Sequence, residues 1–440
     1  QDSNVQLFLH HHSSFFQTYT DTVFSSFAIE SQIANLKGVS DVFIYLNDDM
    51  YFLMDLHPAD FYTSAYGFVF RADTNLNVPP ELEARPKRGE WQPLRESNVM
   101  LSKRFGTGKR PYVAHVAKVM SIPLLRELVA MFPEAFARTS ARLFREVYMD
   151  EPGDAHTTFL FPHFVIERWR EALLWSWAIA RQGADDDSWD ADAAWAALGS
   201  MPGADLRVSR IRRDTLDTDR VLATLRRTGY SPPGATDYEF ASGDGYPWYD
   251  VRHGAKGYPD RTRATVCTLA RDVCFPPLMN ASAAFQHIAF AQPECGDCVI
   301  NQLVQKSGRI GLAEFLPPWG RGVAPRVRGP TPLTLPVVAD WRDTDFSLAG
   351  VLQNGTDDVR AWVLRLLDRY RFVLGSTPSE FVFLTGAASA SRAAGKLRPD
   401  AEIALACIND DVSGDAARVY EIMLEWQKSR WPDKARWEVV

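Results

Sequence analysis

The chain has 440 residues, a length that predicts two or three structural units. Its 46% hydrophobic and 23% charged residues are those of an ordinary globular protein, which excludes fibrous and wholly disordered classes. The 48 Lys and Arg residues against 55 Asp and Glu residues give a net charge of −7, which excludes a chain-wide basic surface for nucleic acid.

The first predicted elements form an α/β unit. Apolar residues at helical spacing predict a helix over 28–36, and a compact apolar run predicts a buried central strand over 42–46. Asn47, Asp48 and Asp49 follow that strand directly. Because open α/β sheets bind their ligands at the carboxyl ends of strands, we expect these three side chains at a ligand site.

Helices dominate the next part of the chain. The pattern over 122–136 predicts an amphipathic helix, a second helix is predicted from about Thr139, and 159–180 is apolar enough for a largely buried helix. His115 precedes the first of these helices, where an imidazole can act as a general base. Arg145, on the second, can pair with a phosphate through its planar guanidinium. Taken alone, a packed histidine and a surface arginine are the ordinary alternatives.

Residues 181–370 are punctuated by proline and glycine and predict a loop-rich insert. This insert contains a C-x6-C-x20-C-x2-C pattern formed by Cys267, Cys274, Cys295 and Cys298. In an oxidising lumen the pattern predicts two disulfides, with Cys407 free and buried in its strand, whereas in a cytosol it indicates a zinc site. Because the first spacing is longer than usual between zinc ligands, the pattern favours disulfides.

The C-terminal part returns to an α/β pattern, with a strand predicted over 403–408 and an amphipathic helix over 416–430. Asn409, Asp410 and Asp411 follow the strand. A strand followed by Asn-Asp-Asp therefore occurs twice in the chain. Two such strand ends lying side by side would form one acidic, amide-lined pocket.

Clustered carboxylates of this kind are oxygen ligands suited to Mg²⁺ or Mn²⁺. A neighbouring asparagine adds a carbonyl ligand or a hydrogen bond to a sugar hydroxyl. The alternative is that each triplet forms only an Asx-turn after its strand. The residues by themselves predict a metal-dependent phosphate or sugar-phosphate site.

Three segments resemble conserved regions of the Stealth phosphotransferase family. FSSFAIES at 24–31 and FIYLNDDM at 43–50 resemble its second region, the stretch 114–145 with MFPEAF resembles its third, and 407–432 resembles its fourth. The resemblance implies a Rossmann-like α/β core interrupted by the loop-rich, cysteine-containing insert. The core would then comprise residues 1–180 and 371–440, with the insert at 181–370.

The resemblance also implies a reaction. The family transfers a sugar-1-phosphate from a nucleotide sugar to a glycan hydroxyl with a divalent metal, so a UDP-sugar donor, a glycan or glycoprotein acceptor and Mg²⁺ or Mn²⁺ are expected. The implied catalytic residues are Asp48, Asp49, His115 and Arg145; the implied substrate-binding residues are Glu30, Asn47, Asn409 and Asp410; the implied metal ligands are Asp48, Asp49 and Asp410.

The chain departs from the family pattern in two places. The family's first region is absent, so we expect a fragment or a shortened form, and Lys118 stands where part of the family has a second histidine. The insert is similar to what is expected of the fungal branch, for which xylosyl-phosphate transfer to mannose is one option.

The expected location is the Golgi or the secretory-pathway lumen. The longest nearly apolar run, 172–180, is about half the length of a bilayer span, so membrane attachment is expected only through a missing N-terminal anchor. Two rival hypotheses remain open. One is a non-catalytic relative that binds sugar or nucleotide, and the other is a zinc-organised interaction module centred on 267–298.

Overall fold

The computed structural model describes residues 6–19, 21–82, 89–145, 151–199, 204–210, 216–248, 265–308 and 311–433. Within these ranges helices and strands occur along the whole chain, so the fold is mixed α/β as predicted. None of the helices in these ranges is both long and apolar enough to cross a membrane.

The helices and strands are numbered in chain order. The α-helices are α1 (Ser26–Ser31), α2 (Trp91–Phe105), α3 (Ile122–Met131), α4 (Pro133–Ser140), α5 (Thr157–Trp175), α6 (Ala191–Ala197), α7 (Thr218–Arg227), α8 (Arg271–Cys274), α9 (Ala281–Gln286), α10 (Pro293–Ser307), α11 (Leu348–Val351), α12 (Val359–Arg369), α13 (Ala387–Lys396) and α14 (Ala416–Arg430). The strands are β1 (Val42–Tyr45), β2 (Met50–Phe52), β3 (Tyr62–Thr63), β4 (Gly67–Phe70), β5 (Ala72–Val78), β6 (Arg110–Val113), β7 (Lys118–Ser121), β8 (Leu206–Arg210), β9 (Asp237–Ala241), β10 (Thr265–Leu269), β11 (Phe372–Ser376), β12 (Ser379–Leu384) and β13 (Leu405–Asp410).

The described strands form several small sheets. A four-stranded sheet has the order β3-β4-β11-β9, and a three-stranded sheet has the order β12-β13-β2. The pairs β1–β7, β5–β6 and β8–β10 are two-stranded and antiparallel. Parallel pairing occurs between β4 and β11 and between β12 and β13. The strands of each parallel pair are separated by at least 20 residues, which leaves room for the crossover connection of about a dozen residues or more that parallel pairing requires.

The strand over 42–46 was predicted to be buried and central, and this prediction is wrong. β1 pairs antiparallel with β7, and it has no second partner strand among the described residues. The side chain of Ile44 is 41% exposed. An apolar, β-branched run predicts an extended backbone, but it does not predict whether the strand is central or at the edge of a sheet.

The single helix predicted over 122–136 is divided in two. α3 ends at Met131 and α4 begins at Pro133, with Phe132 between them in a non-helical conformation. Because a proline disfavours the helical conformation in the residue before it, the first helix ends there. α4 ends at Ser140, so the helix predicted from Thr139 is also wrong, and Arg145 lies in the loop that follows α4.

The predicted buried helix over 159–180 is confirmed. Every residue of α5 is buried, and a π-helical turn over Ser176–Gln182 continues it. Four charged residues inside α5 need partners because an unpaired buried charge is strongly unfavourable. The buried ion pairs are Arg110–Glu167, Arg168–Glu127, Arg170–Asp297 and Arg104–Glu171, at 2.5–2.8 Å.

Two disulfides link the cysteine pattern to the core, which confirms the predicted pairing of four cysteines. Cys267–Cys298 joins β10 to α10, and Cys274–Cys295 joins α8 to α10. All four sulfurs are therefore used, and none is left as a zinc ligand. Cys407 is free and buried in β13, as predicted. Disulfides of this kind are typical of an oxidising, secretory-type compartment.

The main apolar core contains residues from each of the three predicted segments. Trp175 of α5 packs against Trp362 of α12 with ring centroids 5.4 Å apart, and Phe372 and Leu405 belong to the same cluster. β9, from the predicted insert, pairs with β11, which belongs to the predicted C-terminal core. The division at 180 and 370 stays a prediction.

Candidate active site

Residues that are far apart in the sequence meet around one pocket of about 350 Å³. Its walls come from α1, from the turn between β1 and β2, from the loop between β6 and β7, and from the end of β13. The predicted site residues that line it are Glu30, Asn47, Asp48, Asp49, His115, Arg145 and Asn409. The two Asn-Asp-Asp triplets therefore contribute to the same pocket.

Asp410 is placed differently from the other predicted site residues. It follows Asn409 in β13, and successive side chains of a strand point to opposite faces. Its side chain is exposed and accepts a hydrogen bond from the N–H of Val412 (3.0 Å). Asp410 is not among the residues that line the pocket, and its role as a metal ligand stays a prediction.

Asp49 lies at the centre of the pocket. A hydrogen bond from the Met50 N–H to the Asn47 carbonyl closes the turn that carries it (3.2 Å). One carboxylate oxygen, Oδ2, lies 3.6 Å from His115 Nε2 and accepts a hydrogen bond from the thiol of Cys407 (3.2 Å). Because Cys407 and Asn409 are two residues apart on β13, they face the same side of the strand.

Three buried oxygens in the pocket wall have no hydrogen-bond partner within the described ranges. They are Oδ1 of Asp49, Oδ1 of Asn47 and Oε2 of Glu30. The other oxygen of Glu30 accepts a hydrogen bond from the Tyr45 hydroxyl (3.1 Å). Since buried polar atoms are nearly always satisfied, these oxygens are candidate ligands for a cation or for a donor group of a bound molecule.

The environment of His115 favours its neutral form. Burial lowers the pKa of the imidazole, and the positive charge of nearby Lys118 lowers it further. Lys118 is itself buried, which lowers its pKa to about 8, and its ammonium donates to the Val116 carbonyl (3.0 Å). A neutral imidazole next to the carboxylate of Asp49 is suited to accept a proton.

The thiol of Cys407 is kept neutral by the same surroundings. Burial raises its pKa, and the hydrogen bond to Asp49 raises it further. The ligand atoms of Asp49, His115 and Cys407 lie within 4.8 Å of one another. However, a thiol binds a metal as its thiolate, so the environment favours an oxygen-ligated cation over a sulfur-ligated one.

Arg145 lies at the mouth of the pocket rather than on a helix. Its guanidinium lies over the ring of Phe27, 4.7 Å from the ring centroid, and donates to the hydroxyl of Ser26. The side chain is exposed, so its charge is available to an anionic ligand entering the pocket. This position suits the predicted contact with a phosphate.

Sequence reasoning did not identify a second group in the wall, formed by Glu90, Tyr112 and His156. The carboxylate of Glu90 accepts a hydrogen bond from the Tyr112 hydroxyl (2.7 Å) and lies 3.6 Å from His156 Nε2. Burial opposes ionisation of Glu90, but its contacts with His156 and Tyr112 outweigh this and lower its pKa to about 2. Glu90 therefore carries a negative charge in the wall at neutral pH.

These residues carried only a weak signal in the sequence. Glu90 is the residue before α2, and His156 is the residue before α5, so each stands at the start of a helix. Polar residues are common at helix starts for reasons of capping alone. No spacing rule connects two such positions that are 66 residues apart.

Two segments of the chain match conserved regions of known proteins. Residues 1–70 match Stealth protein CR2, conserved region 2, and residues 114–167 match Stealth protein CR3, conserved region 3. Both matches are to conserved regions of the Stealth family. Most of the pocket lies within these two Stealth regions: Glu30 and Asn47–Asp49 in the first, and His115, Arg145 and His156 in the second.

Individual relatives extend this comparison. The chain is 35% identical to 3-O-α-D-mannopyranosyl-α-D-mannopyranose xylosylphosphotransferase of Cryptococcus neoformans var. grubii, over 94% of this chain and 51% of the relative. It is 31% identical to an exopolysaccharide phosphotransferase of Nocardia farcinica, over 28% of this chain and 24% of the relative. The exopolysaccharide phosphotransferase CpsY of Mycobacterium tuberculosis (strain ATCC 25618 / H37Rv) is 34% identical over 28% of this chain and 23% of the relative. The chain thus spans about half the length of its fungal relative.

Proposed function

We propose that this chain carries the active site of a metal-dependent enzyme that transfers a sugar-1-phosphate from a nucleotide sugar to a hydroxyl of a glycan. The names of the relatives support this reaction class, since they describe xylosylphosphotransfer to a mannose disaccharide and exopolysaccharide phosphotransfer. UDP-xylose and UDP-N-acetylglucosamine are the donors to test, with α-mannosides as acceptors. The observation that carries the proposal is that Asp49 faces His115 through one oxygen, whereas its other oxygen is buried and has no hydrogen-bond partner among the residues that the structure describes.

The donor atoms of the pocket fit a divalent cation. Oδ1 of Asp49, Oδ1 of Asn47 and Oε2 of Glu30 are oxygens without a partner in the described residues, which is the ligand type that Mg²⁺ and Mn²⁺ prefer. Asp49 and Asn47 would hold the ion, with Glu30 or Asp48 as a further ligand. The ion, when bound, would neutralise charge on the phosphates of the donor.

The chain's own residues account for the proton and for part of the charge. The carboxylate of Asp49 beside Nε2 favours a proton on that nitrogen, which leaves the other ring nitrogen of His115 to accept the proton of the acceptor hydroxyl. The acceptor oxygen then forms a bond to the phosphorus that carries the sugar. The bond between this phosphorus and the oxygen that links the two phosphates breaks, and a nucleoside monophosphate leaves with that oxygen. Arg145 at the pocket mouth stabilises the negative charge.

Two structural expectations belong to the same proposal. The Rossmann-like core with a cysteine-containing insert would place the donor at strand ends, as in other nucleotide-binding sheets. Location in the Golgi or another secretory lumen agrees with the oxidising compartment indicated by the two disulfides.

The experiment is a transfer assay with purified protein, UDP-xylose or UDP-N-acetylglucosamine, Mn²⁺ and 3-O-α-D-mannopyranosyl-α-D-mannopyranose. Mass spectrometry should detect the acceptor extended by a sugar phosphate, and EDTA should abolish the product. Asp49→Asn should reduce turnover at least about 10³-fold at an unchanged melting temperature. Binding of the UDP-sugar without any product would support the non-catalytic alternative, and full activity in EDTA would refute the metal assignment.

A further inference from the structure

A second cavity of about 610 Å³ adjoins the candidate active site. The two cavities share four wall residues, namely Glu90, Tyr112, His115 and Phe381. The ring of Phe381 contacts the imidazole of His115 edge-on, with centroids 6.2 Å apart. A molecule in the second cavity would therefore reach the same imidazole that faces Asp49 in the first.

The second cavity has exposed aromatic surface. Trp91, the first residue of α2, is 39% exposed, and Phe381 of β12 is 52% exposed, although both are large apolar side chains. Aromatic rings at the wall of a cavity offer a flat apolar face to a ligand. The C–H face of a pyranose ring is a ligand surface of this kind.

The charge of the second cavity is unsuited to a phosphate. Carboxylates of Asp73, Glu239 and Glu380 line it in addition to that of Glu90. The guanidinium of Arg71, also in its wall, is buried and donates to the Asp60 carbonyl and to two threonine hydroxyls. Lys396 neutralises Glu380 (2.6 Å). The three other carboxylates still outnumber the one guanidinium in the wall, so the cavity has a surplus of negative charge.

We propose that the second cavity binds the glycan acceptor, a neutral oligosaccharide. Sugar hydroxyls donate to the carboxylates, and the pyranose rings pack on Trp91 and Phe381. The volume is in the range of cavities that enclose ligands larger than a monosaccharide. The inference rests on the proposed function, because it assigns the acceptor of that reaction and leaves the first pocket to the nucleotide sugar.

The test compares two single variants of the full chain, Trp91→Ala and Glu239→Gln. These residues are chosen because neither lines the first pocket. Trp319→Ala is the matched control, since Trp319 is 78% exposed and lines neither cavity. We expect the KM for 3-O-α-D-mannopyranosyl-α-D-mannopyranose to rise about tenfold in both variants. The KM for the UDP-sugar should not change, and Trp91→Phe should restore most of the acceptor affinity. An unchanged acceptor KM, or an equal rise in both KM values, would overturn the assignment.

Binding of the disaccharide alone, followed by saturation-transfer NMR, separates this inference from the proposed function. In one outcome no transfer occurs, but the disaccharide binds more tightly to the wild type and to Trp319→Ala than it does to Trp91→Ala. The second cavity is then a glycan site, and the proposed transfer reaction is wrong. If transfer occurs and the disaccharide binds all variants equally, the reaction stands and the second cavity is not its acceptor site.

Discussion

Two buried carboxylates, Glu127 and Glu30, have opposite surroundings although their exposed fractions are similar, at 8% and 5%. Both oxygens of Glu127 are satisfied. Oε1 accepts from Arg168 (3.0 Å) and the Tyr370 hydroxyl (2.6 Å), and Oε2 accepts from Arg369 (2.9 Å). Glu30 has one partner, and its Oε2 has none in the part of the chain that the structure describes.

The pKa values of the two groups move in opposite directions. Burial raises the pKa of Glu30, and the attraction of His156 and Lys118 does not compensate. Burial also opposes ionisation of Glu127, but Arg168 and Arg369 outweigh it and lower its pKa. Glu127 is thus neutralised by the fold itself and stabilises it, whereas Glu30 leaves an unbalanced group in a pocket. This difference separates a structural charge from a candidate functional one.

The largest expected effect is a loss of folding stability when the charge of Glu127 is removed. Glu127→Gln removes the carboxylate that faces Arg369 and one of the two that face Arg168, which keeps Glu171 at 2.6 Å. We therefore expect a loss of up to about 3–5 kcal/mol in the free energy of unfolding at neutral pH. Because the pKa of Glu127 is lowered on folding, the wild type loses this advantage as pH falls through the folded pKa.

Denaturant unfolding as a function of pH measures this effect. The two proteins should differ most at neutral pH and converge in acid. Activity per folded molecule should not change, since Glu127 does not line either cavity. A variant that is as stable as the wild type but inactive would remove the distinction between the two carboxylates.

The second effect concerns the imidazole. His115→Ala should lower kcat about 10²-fold or more and leave UDP-sugar binding intact. Because the pKa of His115 is lowered, the acidic limb of the wild-type pH–rate profile should lie below the ordinary histidine value of 6.5, and the variant should lack it.

The matched control for the imidazole is His287→Ala, whose ring contacts the Val273 carbonyl outside the pocket. This control should keep both kcat and the pH profile. Normal turnover in His115→Ala together with a lower melting temperature would mean that His115 is a packing residue.

The smallest expected effect is a change in melting temperature when the charge of Glu30 is removed. Since folding raises the pKa of Glu30, its charged form opposes folding above the ordinary glutamate value of 4.5. Glu30→Gln should therefore raise the melting temperature by about 1–3 °C at neutral pH, with no difference well below pH 4.5. Differential scanning calorimetry in EDTA measures this change. A variant that is less stable at neutral pH would show that the Glu30 charge is balanced in the fold, as it is at Glu127.

Local sequence pattern was sufficient to predict two long helices and to predict which cysteines form disulfides. The amphipathic helix over 416–430 was predicted from the helical periodicity of its apolar residues, and the buried helix over 159–180 was predicted from its apolar composition. The pairing of four clustered cysteines with Cys407 left free was predicted from their proximity in sequence. The partner of each cysteine was not predictable, because connectivity depends on which elements lie side by side.

The sequence by itself identified residues that meet in space, since seven of the eight predicted site residues line one pocket. Only the tertiary structure decided the rest. It placed β1 in a two-stranded sheet, turned Asn409 and Asp410 to opposite faces, and brought Glu90 and His156 together. The physical reason is that side-chain composition acts locally, whereas strand pairing and contacts between distant helix starts depend on packing of the whole chain.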